Sequence, residues 1–128
     1  MISFEEFLPE EGIPIYLQIV RHIKRGIVSG TVVNGDEVPS RRVLSALLGV
    51  NPNTVQKAYA MLESEGLMES RSGAKSYMHL SDGTVSAVRK ELLQSDAVSI
   101  VNAMKQMGLS RDEALRLIAS CWDEGGTV

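Results

Sequence analysis

The most constraining stretch of this chain runs from Pro39 to Gly66, where helix start and stop signals occur twice in quick succession. Ser40 stands where an N-cap hydroxyl accepts an orphan backbone N–H. Val43, Leu44, Leu47 and Leu48 follow at helical spacing, which predicts a short helix over 41 to 48. Gly49 comes after the last apolar residue, where a left-handed backbone costs least, and Val50 is placed to drop into the core at the corner. Asn51 caps the next helix, and Pro52 suits its first position because proline lacks only an N–H that is unpaired there anyway. In this second helix Val55, Ala58, Tyr59 and Leu62 share one face, leaving Asn53, Gln56, Lys57 and Ala60 on the other.

Two helices joined by so tight a turn, the second opening on exposed amides and a hydroxyl, are written like a DNA-reading helix-turn-helix. Amides and hydroxyls read base edges, small residues allow close approach, and cations meet phosphate. No carboxylate occurs from 38 to 62, whereas Arg41, Arg42 and Lys57 give that window a charge of +3. Taken alone, the two helices are equally compatible with an ordinary solvated hairpin, so the flanking segments matter.

After Gly66, the stretches Leu67 to Arg71 and Ser76 to Leu80 are extended candidates around the turn-like Ser72-Gly73-Ala74-Lys75. A β-hairpin behind a recognition helix is a wing, and Arg71, Lys75 and His79 lie where they could approach phosphate. The alternative is a plain surface hairpin with solvated cations. Upstream, Pro14 opens a helix with Tyr16, Val20, Ile23 and Ile27 on one stripe and Ile19 beside it, and Gly30 stops it. The link from Thr31 to Val38 holds the turn Asn34-Gly35-Asp36, with Val32, Val33 and Val38 able to add a short strand to the wing.

These residues resemble a known family. Pro14-Ile15-Tyr16-Leu17-Gln18-Ile19, Gly35-Asp36, Pro39-Ser40, Leu48-Gly49-Val50, Asn53-Thr54-Val55, Leu62-Glu63, Glu65-Gly66-Leu67 and Gly73 follow the order and spacing of the winged helix-turn-helix of GntR-family bacterial transcription regulators. The resemblance covers about residues 12 to 80, and the run from Asn51 to Tyr59 looks like the YtrA-type branch. It implies that Arg42 matches the arginine of the family's Pro-Ser-x-Arg pattern, that Asn53 and Thr54 start the recognition helix, and that Gly73 is the wing glycine. Three positions depart from the pattern. Val43 replaces the usual glutamate, with a change of packing as its expected effect. Pro52 replaces an arginine, which shifts base reading onto Asn53, Gln56 and Lys57. Lys75 replaces the second wing glycine, so the wing tip is expected to meet phosphate rather than enter the minor groove closely. The candidate DNA contacts are therefore Ser40, Arg41, Arg42, Asn51, Asn53, Thr54, Gln56, Lys57, Arg71, Gly73 and Lys75.

A net charge of -3 argues against a generic polyanion binder, so contact with DNA has to come from local charge and from pairing two copies. No basic start followed by an apolar run and no stretch of ~20 apolar residues is present, which predicts a cytoplasmic protein without a membrane partner. Cys121 is the only cysteine; its apolar neighbours Leu117, Ile118 and Trp122 favour a buried structural thiol over the alternative, a redox sensor. His22 and His79 have no carboxylate or cysteine at ligand spacing, and no phosphate loop or catalytic set is recognisable. No metal, no cofactor and no enzymatic activity are expected.

From Thr84 to Met107 the chain has no proline or glycine and reads as one long helix, or two with a break near Ser95-Asp96. Its apolar positions are Val85, Val88 and Leu92, then Leu93, Ala97, Ile100, Val101 and Met104. Gly108 stops it. Ser110-Arg111-Asp112-Glu113 is a capping box opening a last helix with Ala114, Leu115, Leu117, Ile118, Cys121 and Trp122, which ends at Gly125-Gly126. Two helices cannot enclose a metabolite by themselves, so the sequence identifies no small-molecule effector. They can bury their stripes against a second copy, or fold back onto the winged domain as core; the resemblance implies the first.

The expected fold is mainly α with a small β-hairpin: a winged helix-turn-helix over 10–80 and a C-terminal helical dimerisation arm over 81–128. The expected function is a homodimer that binds a palindromic operator in double-stranded DNA and represses it. The resemblance implies a transport-related operon as target. The competing reading is a winged-helix module that binds a protein and never touches DNA; it requires an apolar patch where Asn53, Gln56 and Lys57 stand.

Overall fold

The computed structural model describes residues 2–71 and 75–125. Among the described residues, five helices and a small antiparallel sheet follow in the order α1 (Ile15–Ser29), β1 (Glu37–Val38), α2 (Arg41–Leu48), α3 (Pro52–Ser64), β2 (Met68–Arg71), β3 (Lys75–Met78), α4 (Asp82–Gln106) and α5 (Arg111–Asp123). The chain divides into two compact units, one ending at Leu92 and the other beginning at Leu93.

Local chemistry sets the element ends in the first unit. Pro14 precedes α1, and Gly30 ends it at φ 86°, a left-handed backbone that glycine adopts without a Cβ clash. The Ser40 hydroxyl accepts from Val43 N at 3.1 Å and starts α2. Gly49, at φ 68°, stops it. The Asn51 carboxamide accepts from Asn53 N at 2.8 Å, and Pro52 begins α3. Between the two helices the Ser45 hydroxyl donates to the Val50 carbonyl, which ties the corner to α2. The Asn34-Gly35-Asp36 turn is held by Val33 N donating to Asp36 Oδ2 at 2.9 Å. The chain then runs into β1, which pairs with β3 (Glu37 with Tyr77, Val38 with Ser76), so the sheet order is β1-β3-β2. Val32 and Val33 stay outside the strand. Val32 instead packs on Gly26 so closely that a Cβ there would lie 2.5 Å from the valine methyl.

The core joins Ile19, Ile23 and Ile27 of α1, Leu44 of α2, Val55, Ala58, Tyr59 and Leu62 of α3, and Met68 and Met78 of the wing. Ile2 and Phe4 close it from the N-terminal segment, and Val88 and Leu92 from α4. The last two explain why the first unit runs past residue 80: the first half of α4 supplies core to the winged body. This helix begins earlier than Thr84, because Ser81 and Thr84 cap one another (Ser81 N to Thr84 Oγ1 2.8 Å, Thr84 N to Ser81 Oγ 3.2 Å) and the first turn tolerates Gly83. It is continuous through Ser95-Asp96. In the second unit Gly108, at φ 81°, turns the chain, and Ser110 caps α5 by accepting from Glu113 N at 3.2 Å.

Lys24 is a charged group inside the winged body, its side chain only 5% exposed. Its ammonium donates to Glu65, just beyond α3, at 2.8 Å and to Glu91 of α4 at 3.0 Å, so it joins three helical segments. Burial works against the charge, but the hydrogen bonds and attraction of the two carboxylates outweigh it and hold the ammonium above its ordinary pKa. A raised folded-state pKa means that this stabilisation is complete below the unfolded lysine value, about 10.4, and is lost as pH rises through the folded value. Both carboxylates are partly exposed, which discounts the pair. The double variant Glu65→Gln/Glu91→Gln should cost about 2 kcal/mol in urea unfolding, whereas Lys24→Met should be nearly neutral. Burial also pushes the Tyr59 phenol well up, which erodes stability in the same alkaline window, so the check is parent against Lys24→Met across that window. A parallel alkaline decline in both proteins would refute the Lys24 contribution.

Candidate nucleic-acid interface

The buried and exposed faces of α3 separate as its sequence predicts. Val55, Ala58, Tyr59 and Leu62 are buried, with Tyr59 OH donating to the Pro39 carbonyl at 2.6 Å. Asn53, Gln56, Lys57 and Ala60 are exposed and Thr54 is half-buried. The helix therefore offers two amides, a hydroxyl and a cation over its first two turns, with small Ala60 beyond.

Residues outside this face hold or extend it. The Lys57 ammonium sits over the Tyr16 ring of α1 at 4.2 Å from the centroid, a cation–π contact that limits where the lysine can reach. Tyr16, expected on the apolar stripe of α1, is half-buried, packs against the core and carries this contact as well. Arg41 Nη1, from the start of α2, donates to Gln56 Oε1 at 2.6 Å. Ser40, Arg41 and Gln56 line one open groove of about 250 Å³ together with Glu63, Ser70 and Ser76, between the helix pair and the sheet. Arg42 is exposed on α2. Asn51 spends its carboxamide oxygen as the α3 cap.

The wing cations are each oriented by a carboxylate. The Arg71 guanidinium donates to Glu69 Oε1 (Nη2 at 3.1 Å) and lies over the Tyr77 ring at 4.4 Å. Lys75 pairs with Glu37 of β1 at 3.4 Å, and His79 lies 3.6 Å from the second Glu69 oxygen. The strands register Arg71 opposite Lys75, so both cations stand at the same end of the hairpin. Gly73 falls outside the described residues. Sequence reading missed Glu69, Tyr77 and Glu37 as the groups that orient these cations. The strand alternation of Glu69 and Arg71 was the one signal available, since both fall on one face.

Two expectations need correction. Val43 was expected to change packing, yet it is exposed, as is Leu47; α2 turns Leu44 and Ser45 inward. A two-turn helix with four apolar residues has more apolar surface than its neighbours can cover. Cys121 was expected to be a buried thiol and is exposed, because α5 buries none of its residues in the single chain.

The model for "Bacterial regulatory proteins, gntR family" matches residues 15–77, which spans α1 through the wing. The HTH-type transcriptional regulator YhcF of Bacillus subtilis is 34% identical over 113 residues, covering 88% of this chain and 93% of that one. The chain belongs to the GntR family. The HTH-type transcriptional repressor YtrA of Bacillus subtilis is 36% identical over 92 residues, 67% of this chain and 71% of that one, in keeping with the YtrA-type run from Asn51 to Tyr59. Among solved structures, a GntR family transcriptional regulator from Listeria monocytogenes superposes with a TM-score of 0.75 at 28% identity, covering 88% of this chain and 98% of the other. A GntR-family chain of this kind is a transcription regulator whose helix-turn-helix binds DNA, and it is not an enzyme. Among the described residues, no helix is long and apolar enough to cross a membrane.

Proposed function

We propose that this GntR-family regulator works in the cytoplasm as a homodimer that binds a roughly palindromic operator and represses transcription. The observation that carries the reading is the polar outer face of α3, where Asn53, Gln56 and Lys57 stand exposed opposite a buried inner face. Each α3 enters the major groove of one half-site, with Asn53, Thr54 and Gln56 at base edges and Lys57 toward phosphate. Ser40 and Asn51, at two helix starts, lie close to the backbone, as does Arg42. Arg71, Lys75 and Gly73 place the wing on the flanking phosphates. The second unit supplies the dimer contact, supported by the run of exposed apolar side chains in α4 beyond Leu92 and in α5. Repression is supported by the similar protein YtrA, which is named as a repressor. A transport-related target rests on the family resemblance alone.

Single substitutions separate the roles. Arg42→Ala should weaken binding to every duplex and reduce the slope of log K against log salt by about one. Asn53→Ala should instead erase discrimination at one position of each half-site, at a cost of about 1–3 kcal/mol on the preferred operator. Salt titrations on operator and random DNA measure both. Unchanged discrimination in Asn53→Ala would remove α3 from the major groove.

A further inference from the structure

Arg41 and Gln56 come from different helices and meet through Arg41 Nη1 and Gln56 Oε1 at 2.6 Å. A guanidinium has donors only, so the end of the amide that faces it is the oxygen, and the Gln56 amino group is turned away from Arg41. Both side chains are exposed, so the bond is not imposed by a closed core.

We infer that Arg41 and Gln56 present DNA with a single unit dominated by donors, the guanidinium flanking the one amide oxygen, and that this unit selects guanine at the base pair it faces; the inference rests on the operator-binding reading above. A free glutamine matches adenine by giving an N–H to N7 while its oxygen accepts from the N6 amino group. In this protein the oxygen end already carries a guanidinium, whose N–H groups repel the amino groups of adenine and cytosine. Thymine offers one acceptor, O4, beside a methyl group. Guanine offers two, N7 and O6, which satisfy the Gln56 amino group and a remaining Arg41 N–H together. Arg41 thereby sets base preference by masking one end of Gln56, a role distinct from phosphate contact.

The test is selection of bound duplexes from a random pool by the full chain and by Arg41→Ala and Gln56→Glu, with thermal melts confirming that these exposed substitutions leave the fold intact. The parent should enrich guanine at one position of each half-site. Arg41→Ala frees the amide oxygen and should move that position toward adenine, changing the guanine-to-adenine ratio roughly tenfold while the other positions hold. Gln56→Glu keeps a partner for Arg41 but removes the amino donor, and should lose the guanine preference. A uniform loss of affinity in Arg41→Ala with every base preference intact overturns the inference, as does a parent motif with no guanine that depends on Gln56. If the parent enriches no motif at all, the operator-binding reading itself fails and takes this one with it.

Discussion

A chain carrying Val101→Glu and Ile118→Glu should sediment as a monomer and bind a two-half-site operator about 100-fold more weakly than the parent, with its affinity for an isolated half-site unchanged. The reason lies in what the second unit leaves uncovered. A helix of a globular protein ordinarily buries one apolar stripe, yet α5 buries no residue, and the buried residues of α4 are Val88 and Leu92, both in the first unit. Beyond them Leu93, Val98, Ile100, Val101, Leu115, Leu117 and Ile118 remain exposed, and Trp122 is 81% exposed. Most of them are about half covered already, so covering the rest is worth about 1 kcal/mol each, and the whole set on both copies is enough to hold two chains together. A carboxylate in the proposed seam would lose its water without gaining a partner, so two per copy should open it. In the proposed dimer, linking two weak half-site contacts raises the affinity for a full operator without any new DNA contact, so separating the copies should be costly. A double variant that stays dimeric, or a parent that is monomeric at micromolar concentration, would place the dimer contact elsewhere or remove it.

The reading head was legible because its determinants are local. Ser40, Gly49, Asn51 and Pro52 act on backbone groups within one turn of themselves, so the limits of α2 and the start of α3 follow from neighbouring residues. The inner face of α3 was legible for a related reason, since thirteen residues give the apolar period enough turns to define a side. In α2 the same period misled. Val43, Leu44, Leu47 and Leu48 satisfy helical spacing, but the side facing the core is chosen by how α3 crosses, and that leaves Val43 and Leu47 in water. The missed groups lie at longer range: Tyr16 meets Lys57, Glu37 meets Lys75, and Lys24 meets Glu65 and Glu91. No spacing rule connects residues so far apart. The Cys121 expectation failed on the assumption that an apolar neighbourhood in sequence means burial within one chain.

Phe4→Ala should cost about 3 kcal/mol of unfolding free energy, lowering the melting temperature of the winged body by about 15 °C, without changing which DNA the protein prefers. Nothing periodic marks the N-terminal segment, and its role comes from packing. Phe4 is 5% exposed and stacks on His22 of α1 with ring centroids 4.6 Å apart. Phe7 closes the same cluster edge-on, 5.9 Å from Phe4 and 5.5 Å from His22. His22 Nε2–H donates to the Ser3 carbonyl at 2.8 Å, which fixes the ring that Phe4 lies on, and Ile2 is buried beside them. This strap covers the α1 surface next to Ile19 and Ile23, both fully buried. Removing the Phe4 ring deletes apolar burial and leaves a cavity that the chain ahead of α1 can only partly refill. Phe7, which is only half-buried, provides the control: Phe7→Ala should cost about 1 kcal/mol. Both strap residues lie on elements other than α2, α3 and the wing, so operator discrimination should survive at temperatures where the variant stays folded. Urea unfolding of Phe4→Ala within about 0.5 kcal/mol of the parent would mean that the segment does not dock in solution, since that is the range of a surface substitution.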